Sequence, residues 1–281
     1  MIFRTRFAPS PTGPLHLGHA YSALLAHDMA ERAGGVFHLR IDDIDQSRAR
    51  PHWEAQIYDD LHWLGIDWPA PVWRQSERAD RYCATLQRLW ARGLLYPCTC
   101  TRRDIAAAAN APQEGAPIHG PDGLVYPGTC REKPLPAVMP TDCALRLNMR
   151  NALQEIDKAS FQETGTQPGT HKIRAEQMLD QIGDVVLARR DMAASYHLSI
   201  VLDDADQEIT HVVRGEDLFE ATKIHVVLQS LLNLPTPIYH HHRLIRDDAG
   251  KRLAKRDDAR AIATYRAEGK TPQDIRAMVG L

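Results

Sequence analysis

Apolar and polar positions change period several times along these 281 residues, and each change marks an element. Residues 2–8 (IFRTRFA) read as a strand, and Pro9, Pro11, Gly13 and Pro14 then punctuate a turn. From Leu17 to about Ala33 the spacing is helical, and Gly34-Gly35 stops it. Phe37, Leu39 and Ile41 alternate through residues 36–43 (VFHLRIDD), which predicts a second strand. A strand, a helix and a strand in such quick succession predict a parallel sheet and an α/β fold. Pro51 stands in the first turn of the next helix, which carries Trp53, Ile57, Leu61 and Leu64. Ala79, Cys83, Leu86 and Trp90 keep helical spacing up to Gly93, with Cys83 on the apolar face.

Residues 94–142 break this regularity. Prolines are frequent, Ala106 to Ala109 form a small-residue stretch, and Cys98, Cys100 and Cys130 fall here. Neither continuous sheet nor helix is expected, and the segment reads as an inserted subdomain. Strand patterns resume at 143–149, 184–190, 196–202 and 209–214. A helix covers about 220–232 and ends at Leu234-Pro235; Thr271-Pro272-Gln273-Asp274 is a capping-box start for a short final helix. The expected division is a first half of the main α/β domain over 1–97, a metal-binding insertion over 98–142, the remainder of the insertion and the second half of the domain over 143–240, and a basic-loop segment with a C-terminal helix over 241–281.

Composition narrows the class. With 43% hydrophobic and 25% charged residues, the chain can build a sizeable core without disulfides. A formal net charge of −2 excludes a globally basic nucleic-acid coat but not a local basic face. Such a face is expected from Arg243 to Arg276, where ten Lys and Arg outnumber six Asp and Glu. Five cysteines, an odd number that includes a Cys-x-Cys pair, favour a reducing compartment and a metal site. No apolar run approaches the ~20 residues that span a bilayer, and the first residues lack a signal-peptide core. A cytoplasmic protein with no membrane partner, and a monomer, is the expectation.

Three groups of residues carry chemistry. Pro9 to His19 (PSPTGPLHLGH) joins the first strand to the first helix, whose N-terminal N–H groups favour an anionic phosphate. His16 and His19 can face one side there, and Gly18 allows close approach of a nucleotide. Lys251-Arg252-Leu253-Ala254-Lys255-Arg256 is a basic loop suited to closing on a triphosphate, although a charge run alone is more often a solvated face. Cys98, Cys100 and Cys130 supply three of the four donors of a tetrahedral zinc site, and His119 or Tyr126 offers the fourth. Cys83 and Cys143 read as core residues. His240-His241-His242 reads as an ordinary polar strand, because consecutive residues point to alternate faces. The five tryptophans read as packing between helices and sheet rather than as base-stacking platforms.

Together the first two groups resemble the "HIGH" and "KMSKS" signatures of class I aminoacyl-tRNA synthetases. Arg6-Phe7-Ala8-Pro9-Ser10-Pro11-Thr12-Gly13, Arg40-Ile41-Asp42-Asp43-Ile44-Asp45 and Arg214-Gly215-Glu216-Asp217 are similar to the glutamyl/glutaminyl branch, in the same order. The resemblance implies a Rossmann-like nucleotide-binding fold. It places Arg6, Phe7, Ala8, Pro9, Ser10, Asp42, Tyr196 and Arg214 around L-glutamate. Asp42 would take the α-ammonium group and Arg214 the side-chain carboxylate, which a planar guanidinium binds bidentately. His16, Gly18, His19 and Lys255 would bind ATP, with His16, His19 and Lys255 as the catalytic residues. Two departures stand out: Asp42 replaces the usual Glu, and Ala254 replaces the usual serine of the basic loop.

Only 25 residues follow Arg256, which resembles the glutamyl-Q tRNA(Asp) synthetases, paralogues without an anticodon-binding domain. In that family Tyr126 completes a Cys-x-Cys…Tyr-x-x-x-Cys set holding one structural zinc with Cys98, Cys100 and Cys130. The implied reaction is RNA-independent activation of glutamate with ATP and Mg²⁺, then transfer to the queuosine of tRNA(Asp). The alternatives are a truncated glutamyl-tRNA synthetase that charges the 3′ end of tRNA(Glu), a related ligase with a small-molecule acceptor, and a non-catalytic tRNA-binding module.

Overall fold

The computed structural model describes residues 2–109, 119–245 and 260–281. The strand Arg4–Phe7 lies parallel to Val36–Ile41, with Arg4 opposite Val36 and Phe7 opposite Leu39, and Trp73–Arg74 adds a third parallel strand. The helix Leu17–Arg32 connects the first two and buries Leu17, Ala20, Ala23 and Leu24 in the first of two large cores. A second parallel pair, His211–Gly215 and Ile238–His242, is joined by the buried helix Thr222–Leu231. The Thr210 N–H donates to the Arg4 carbonyl at 2.9 Å, so this pair begins beside the first strand. The chain therefore leaves Arg4–Phe7 toward one side and His211–Gly215 toward the other. Ligands of open α/β sheets bind in the crevice that such a reversal opens beyond the strand carboxyl ends.

One expected strand is a helix. Residues 196–202 fall in the helix Tyr196–Asp206, whose Leu198, Ile200, Val201 and Leu202 are all buried. A helix enclosed on several sides is apolar around its circumference, and its periodicity is then indistinguishable from that of a buried strand. Its polar end is held by arginines: Asp203 and Asp204 are buried against Arg78 and Arg6, and the exposed Asp206 bonds Arg81. The other expected strands appear as Ala144–Leu147, Val186–Ala188 and His211–Gly215. A hairpin of Ser160–Glu163 and Gly169–Lys172 was not anticipated; it adjoins Ile238–His242 through a Tyr239–Glu163 pairing.

The insertion is framed by Leu95–Cys98, which pairs antiparallel with Ala144–Leu147. Contrary to expectation it contains a helix, Arg102–Ala109, whose alanines favour helix once Asp104 and Thr101 cap its start. Cys83 is exposed, not core. The face of Ala79–Ala91 that packs inward is Tyr82, Leu86 and Leu89, and Cys83 lies one residue around from it. Cys143 is half-buried. Trp63 and Trp68 pack against the first core and Trp90 against the second.

The C-terminal helices Ile262–Ala267 and Pro272–Val279 close the first core with Ile262, Ile275 and Val279. Thr271 and Asp274 form the expected capping box, and Arg276 pairs with Asp28 of the first helix through two 2.8 Å bonds. Among the described residues no helix is long and apolar enough to cross a membrane.

Candidate active site

A cavity of about 390 Å³ opens at the crevice between the first strand and His211–Gly215. Its wall includes Arg6, Phe7, Ala8, Pro9, Ser10, Tyr196 and Arg214, with His19 at one side. Seven of the eight residues that the sequence groups around an amino acid thus meet at one place. The eighth, Asp42, does not line the cavity. Its backbone N–H donates to the Pro9 carbonyl at 3.0 Å, and Arg40 Nε donates to its Oδ1 at 2.8 Å. The shorter side chain is drawn back behind the wall.

The cations of this region differ in their partners. Arg6 is clamped by Asp204, Nε to Oδ1 at 3.0 Å and Nη2 to Oδ2 at 3.1 Å. Arg40, fully buried, bonds both Asp42 and Asp204. Arg214, only 6% exposed, has no carboxylate within 4.0 Å among the described residues. Its donors meet neutral acceptors: His241 Nε2 at 3.2 Å, His225 Nδ1 at 3.2 Å, Thr222 Oγ1 at 2.7 Å, and the Tyr196 hydroxyl at 3.4 Å. Burial and the Arg214 charge hold the His225 and His241 imidazoles well below their ordinary range. A buried guanidinium that faces a cavity and has no carboxylate partner among the described residues is suited to receive one.

Burial raises the Asp42 carboxyl; Arg40 opposes that, Asp203 adds to it and Arg6 lowers it, leaving a value of about 6. Asp42 therefore takes up a proton at mildly acidic pH.

At the other side of the cavity the phosphate-binding expectation meets a built helix start. His16 is the N-cap of Leu17–Arg32; its Nδ1 accepts the Gly18 N–H at 3.1 Å, and His19 Nδ1 accepts the His16 N–H at 3.2 Å. The ring centroids are 3.8 Å apart. With both Nδ1 atoms used as acceptors, each neutral ring carries its proton on Nε2. A Cβ at residue 18 would stand 3.1 Å from the His16 ring, so glycine here protects the cap. Lys255 and the rest of the basic loop lie outside the described residues.

The cysteine set assembles around a phenol. The Sγ atoms of Cys98, Cys100 and Cys130 lie within 4.8 Å of one another. The Tyr126 hydroxyl is 3.4 Å from both Cys98 Sγ and Cys100 Sγ, and accepts the Cys130 N–H at 2.9 Å. Tetrahedral zinc with ordinary bond lengths requires sulfur–oxygen separations of about 3.5 Å, so these donors fit it. His119 is exposed, and the group formed by Cys98, Cys100 and Cys130 does not contain it.

Sequence reasoning missed the residues behind this wall. Asp204, His225, His241 and Glu163 are scattered through apolar or polar runs, and no spacing links them. The Asp203-Asp204 pair at the end of an apolar run was the one available signal.

The fold agrees with what comparison with known proteins shows. The family model described as "tRNA synthetases class I (E and Q), catalytic domain" matches residues 2–123 and 156–281. A glutamate tRNA ligase of Elizabethkingia meningosepticum, solved with its amino acid, superposes with a TM-score of 0.77 at 27% identity; the chain is covered completely and spans 61% of that protein. The glutamyl-Q tRNA(Asp) synthetase of Rhodobacter capsulatus is 65% identical over 99% of both chains. That of Nocardia farcinica is 40% identical over 98% of this chain and 82% of its own. The chain belongs to the class I tRNA synthetases of this type and, within them, to the glutamyl-Q tRNA(Asp) synthetase family.

Proposed function

We propose that the protein activates L-glutamate with ATP, without RNA, and transfers it to the queuosine of tRNA(Asp). The observation that carries the amino-acid half is Arg214, a buried cation with no carboxylate partner among the described residues, at the wall of a cavity sized for a small molecule. Arg214 takes the side-chain carboxylate, with Tyr196 beside it. Phe7, Ala8, Pro9 and Ser10 shape the cavity around the substrate backbone, Arg6 lies at the wall, and Asp42, set behind the wall, meets the α-ammonium group through a bridging water. The relatives' names supply the acceptor.

In the first step the α-carboxylate oxygen attacks the α-phosphorus of ATP; the bond to the bridging oxygen breaks and pyrophosphate leaves, giving glutamyl-adenylate. His16 and His19 donate to phosphate oxygens from the helix N-terminus, Gly18 keeps the backbone accessible, and Lys255 neutralises charge on the leaving pyrophosphate. Mg²⁺ accompanies ATP and screens the same charge. In the second step a hydroxyl of the RNA attacks the adenylate carbonyl and AMP leaves. Most of the acceleration comes from positioning and charge neutralisation. Glutamate-dependent ATP–pyrophosphate exchange without RNA tests the activation step: exchange is expected, and its absence with active, folded protein would contradict the reading.

The pH dependence follows from Asp42. Glutamate affinity is expected to be constant above pH ~7 and to weaken up to about tenfold per pH unit below about 6 as Asp42 takes up a proton. Calorimetric titrations across this range check it, and Asp42→Asn should flatten that limb. A limb unchanged in Asp42→Asn would assign the titration to another group.

Cys98, Cys100, Tyr126 and Cys130 hold one structural zinc, which fixes an insertion too small to carry a core of its own. Denatured protein is expected to release one equivalent of zinc, and Tyr126→Phe to lose zinc to a chelator more readily than the wild type. Zinc-free wild type, or identical retention in Tyr126→Phe, would refute this ligand set.

A further inference from the structure

Arg214 is the start of a chain of hydrogen bonds that leaves the cavity and ends on the insertion. His225 Nδ1 lies 3.2 Å from Arg214 Nη1, His225 Nε2 lies 3.1 Å from His197 Nδ1, and His197 Nε2 lies 3.3 Å from Asp122 Oδ1. A guanidinium can only donate, so every later proton position is determined. His225 accepts at Nδ1 and carries its proton on Nε2, which donates to His197 Nδ1. His197 then carries its own proton on Nε2, directed at Asp122. Burial and the neighbouring Arg214 charge keep His225 unprotonated at Nδ1, in line with that direction.

The same logic runs the other way from Arg214. His241 accepts Arg214 Nε at its Nε2 and donates from Nδ1 to Glu163 Oε2 at 2.5 Å. Glu163 is itself held by the backbone N–H groups of His241 and Gly165 at 2.9 and 2.6 Å. The two chains differ in anchorage. Glu163 is buried, whereas Asp122 is about half exposed, in the turn of the hairpin His119–Gly120/Gly123–Leu124, four residues before Tyr126.

We propose that His225 and His197 are positioning residues that tie the orientation of the Arg214 fork to Asp122, and so make the amino-acid cavity responsive to the placement of the insertion. This rests on the reading that Arg214 receives the glutamate side chain. A fork bonded on one side to a buried pair and on the other, through the two rings, to an exposed hairpin turn is oriented by where that hairpin sits. A small rotation matters because a bidentate carboxylate contact tolerates little misalignment. The link passes through two buried rings, so it is screened less than a surface ion pair, and its exposed end limits it to a modest coupling.

The test combines tautomer assignment with glutamate binding. In the wild type, long-range ¹H–¹⁵N correlation of the imidazoles is expected to show His225 and His197 protonated at Nε2 and unprotonated at Nδ1. By calorimetry, Asp122→Ala is expected to weaken glutamate binding about threefold and His197→Ala about tenfold. The double variant should bind no more weakly than His197→Ala alone, because both changes cut one chain. Asp122→Ala removes an exposed side chain, so its fold is retained even where that of His197→Ala is not. Unchanged affinity in Asp122→Ala, losses that multiply in the double variant, or Nδ1–H tautomers would each overturn the link. Wild-type protein that binds no glutamate would instead refute the reading of the cavity, and the tautomers alone would then decide the hydrogen-bond chain.

Discussion

Replacing Arg214 with leucine is expected to remove glutamate activation almost completely while the protein stays folded. The guanidinium is held by His241, His225, Thr222 and the Tyr196 hydroxyl, none of which carries a negative charge to be stranded by its removal. What is lost is the proposed partner of the substrate carboxylate. Truncating one member of a buried, hydrogen-bonded charge pair costs about 2–5 kcal/mol, so glutamate binding should weaken roughly 30- to several-thousand-fold. Arg214→Lys should recover little, because an ammonium cannot reproduce the planar fork or reach the same acceptors. The glutamate KM in ATP–pyrophosphate exchange reads the effect. A KM within threefold of the wild type would show that the side-chain carboxylate binds elsewhere.

The largest effect on stability is expected at Asp204. Its two oxygens satisfy Arg6 bidentately and Arg40 at 2.8 Å, and Arg40 is fully buried. Asp204→Ala leaves two buried guanidinium groups short of a counter-charge, which costs about 3–5 kcal/mol. For a chain of this length the corresponding fall in Tm is roughly 6–15 °C. Thermal unfolding followed by circular dichroism measures it, and a Tm within about 2 °C of the wild type would contradict the account. The pH dependence has a definite sign. Burial raises the Asp204 carboxyl, but Arg6 and Arg40 outweigh it and hold it below the ordinary range. A carboxylate lowered by folding contributes its stability above its unfolded pKa of about 4, and that contribution is lost as the pH falls through the lowered value. Asp28, bonded by Arg276, adds in the same direction.

The parts of the molecule that were legible in the sequence share a physical reason. The first strand, turn and helix announce themselves by period and by proline and glycine, and the cap residue Thr271 stands where a helix start requires an acceptor. The cavity wall was legible because Arg6 to Ser10 form one contiguous block and Arg214 opens another short block that carries the family resemblance. Tyr196 to Leu202 misled, since a helix buried on several sides has no polar stripe to reveal its 3.6-residue period. Cys83 misled because apolar spacing tolerates a neighbour on the outer face. The supports of Arg214 were not legible at all. His225 lies in an apolar helix, His241 in a polar strand and Glu163 in a hairpin strand, and only the fold brings them within hydrogen-bonding distance. Asp42 was legible as a residue but not as a position, because its attachment to Arg40 depends on Asp204, far along the chain.

The central claim is the acceptor of the activated glutamate. The measurement that tests it most directly is incubation of the protein with ATP, Mg²⁺ and labelled glutamate, in parallel with tRNA(Asp) carrying queuosine, tRNA(Asp) lacking it, and tRNA(Glu), followed by nuclease digestion and identification of the labelled nucleoside. Label on queuosine of the first RNA, and on neither of the others, is the predicted result. Label on the 3′-terminal adenosine of tRNA(Glu) would contradict it and make the protein a charging enzyme instead.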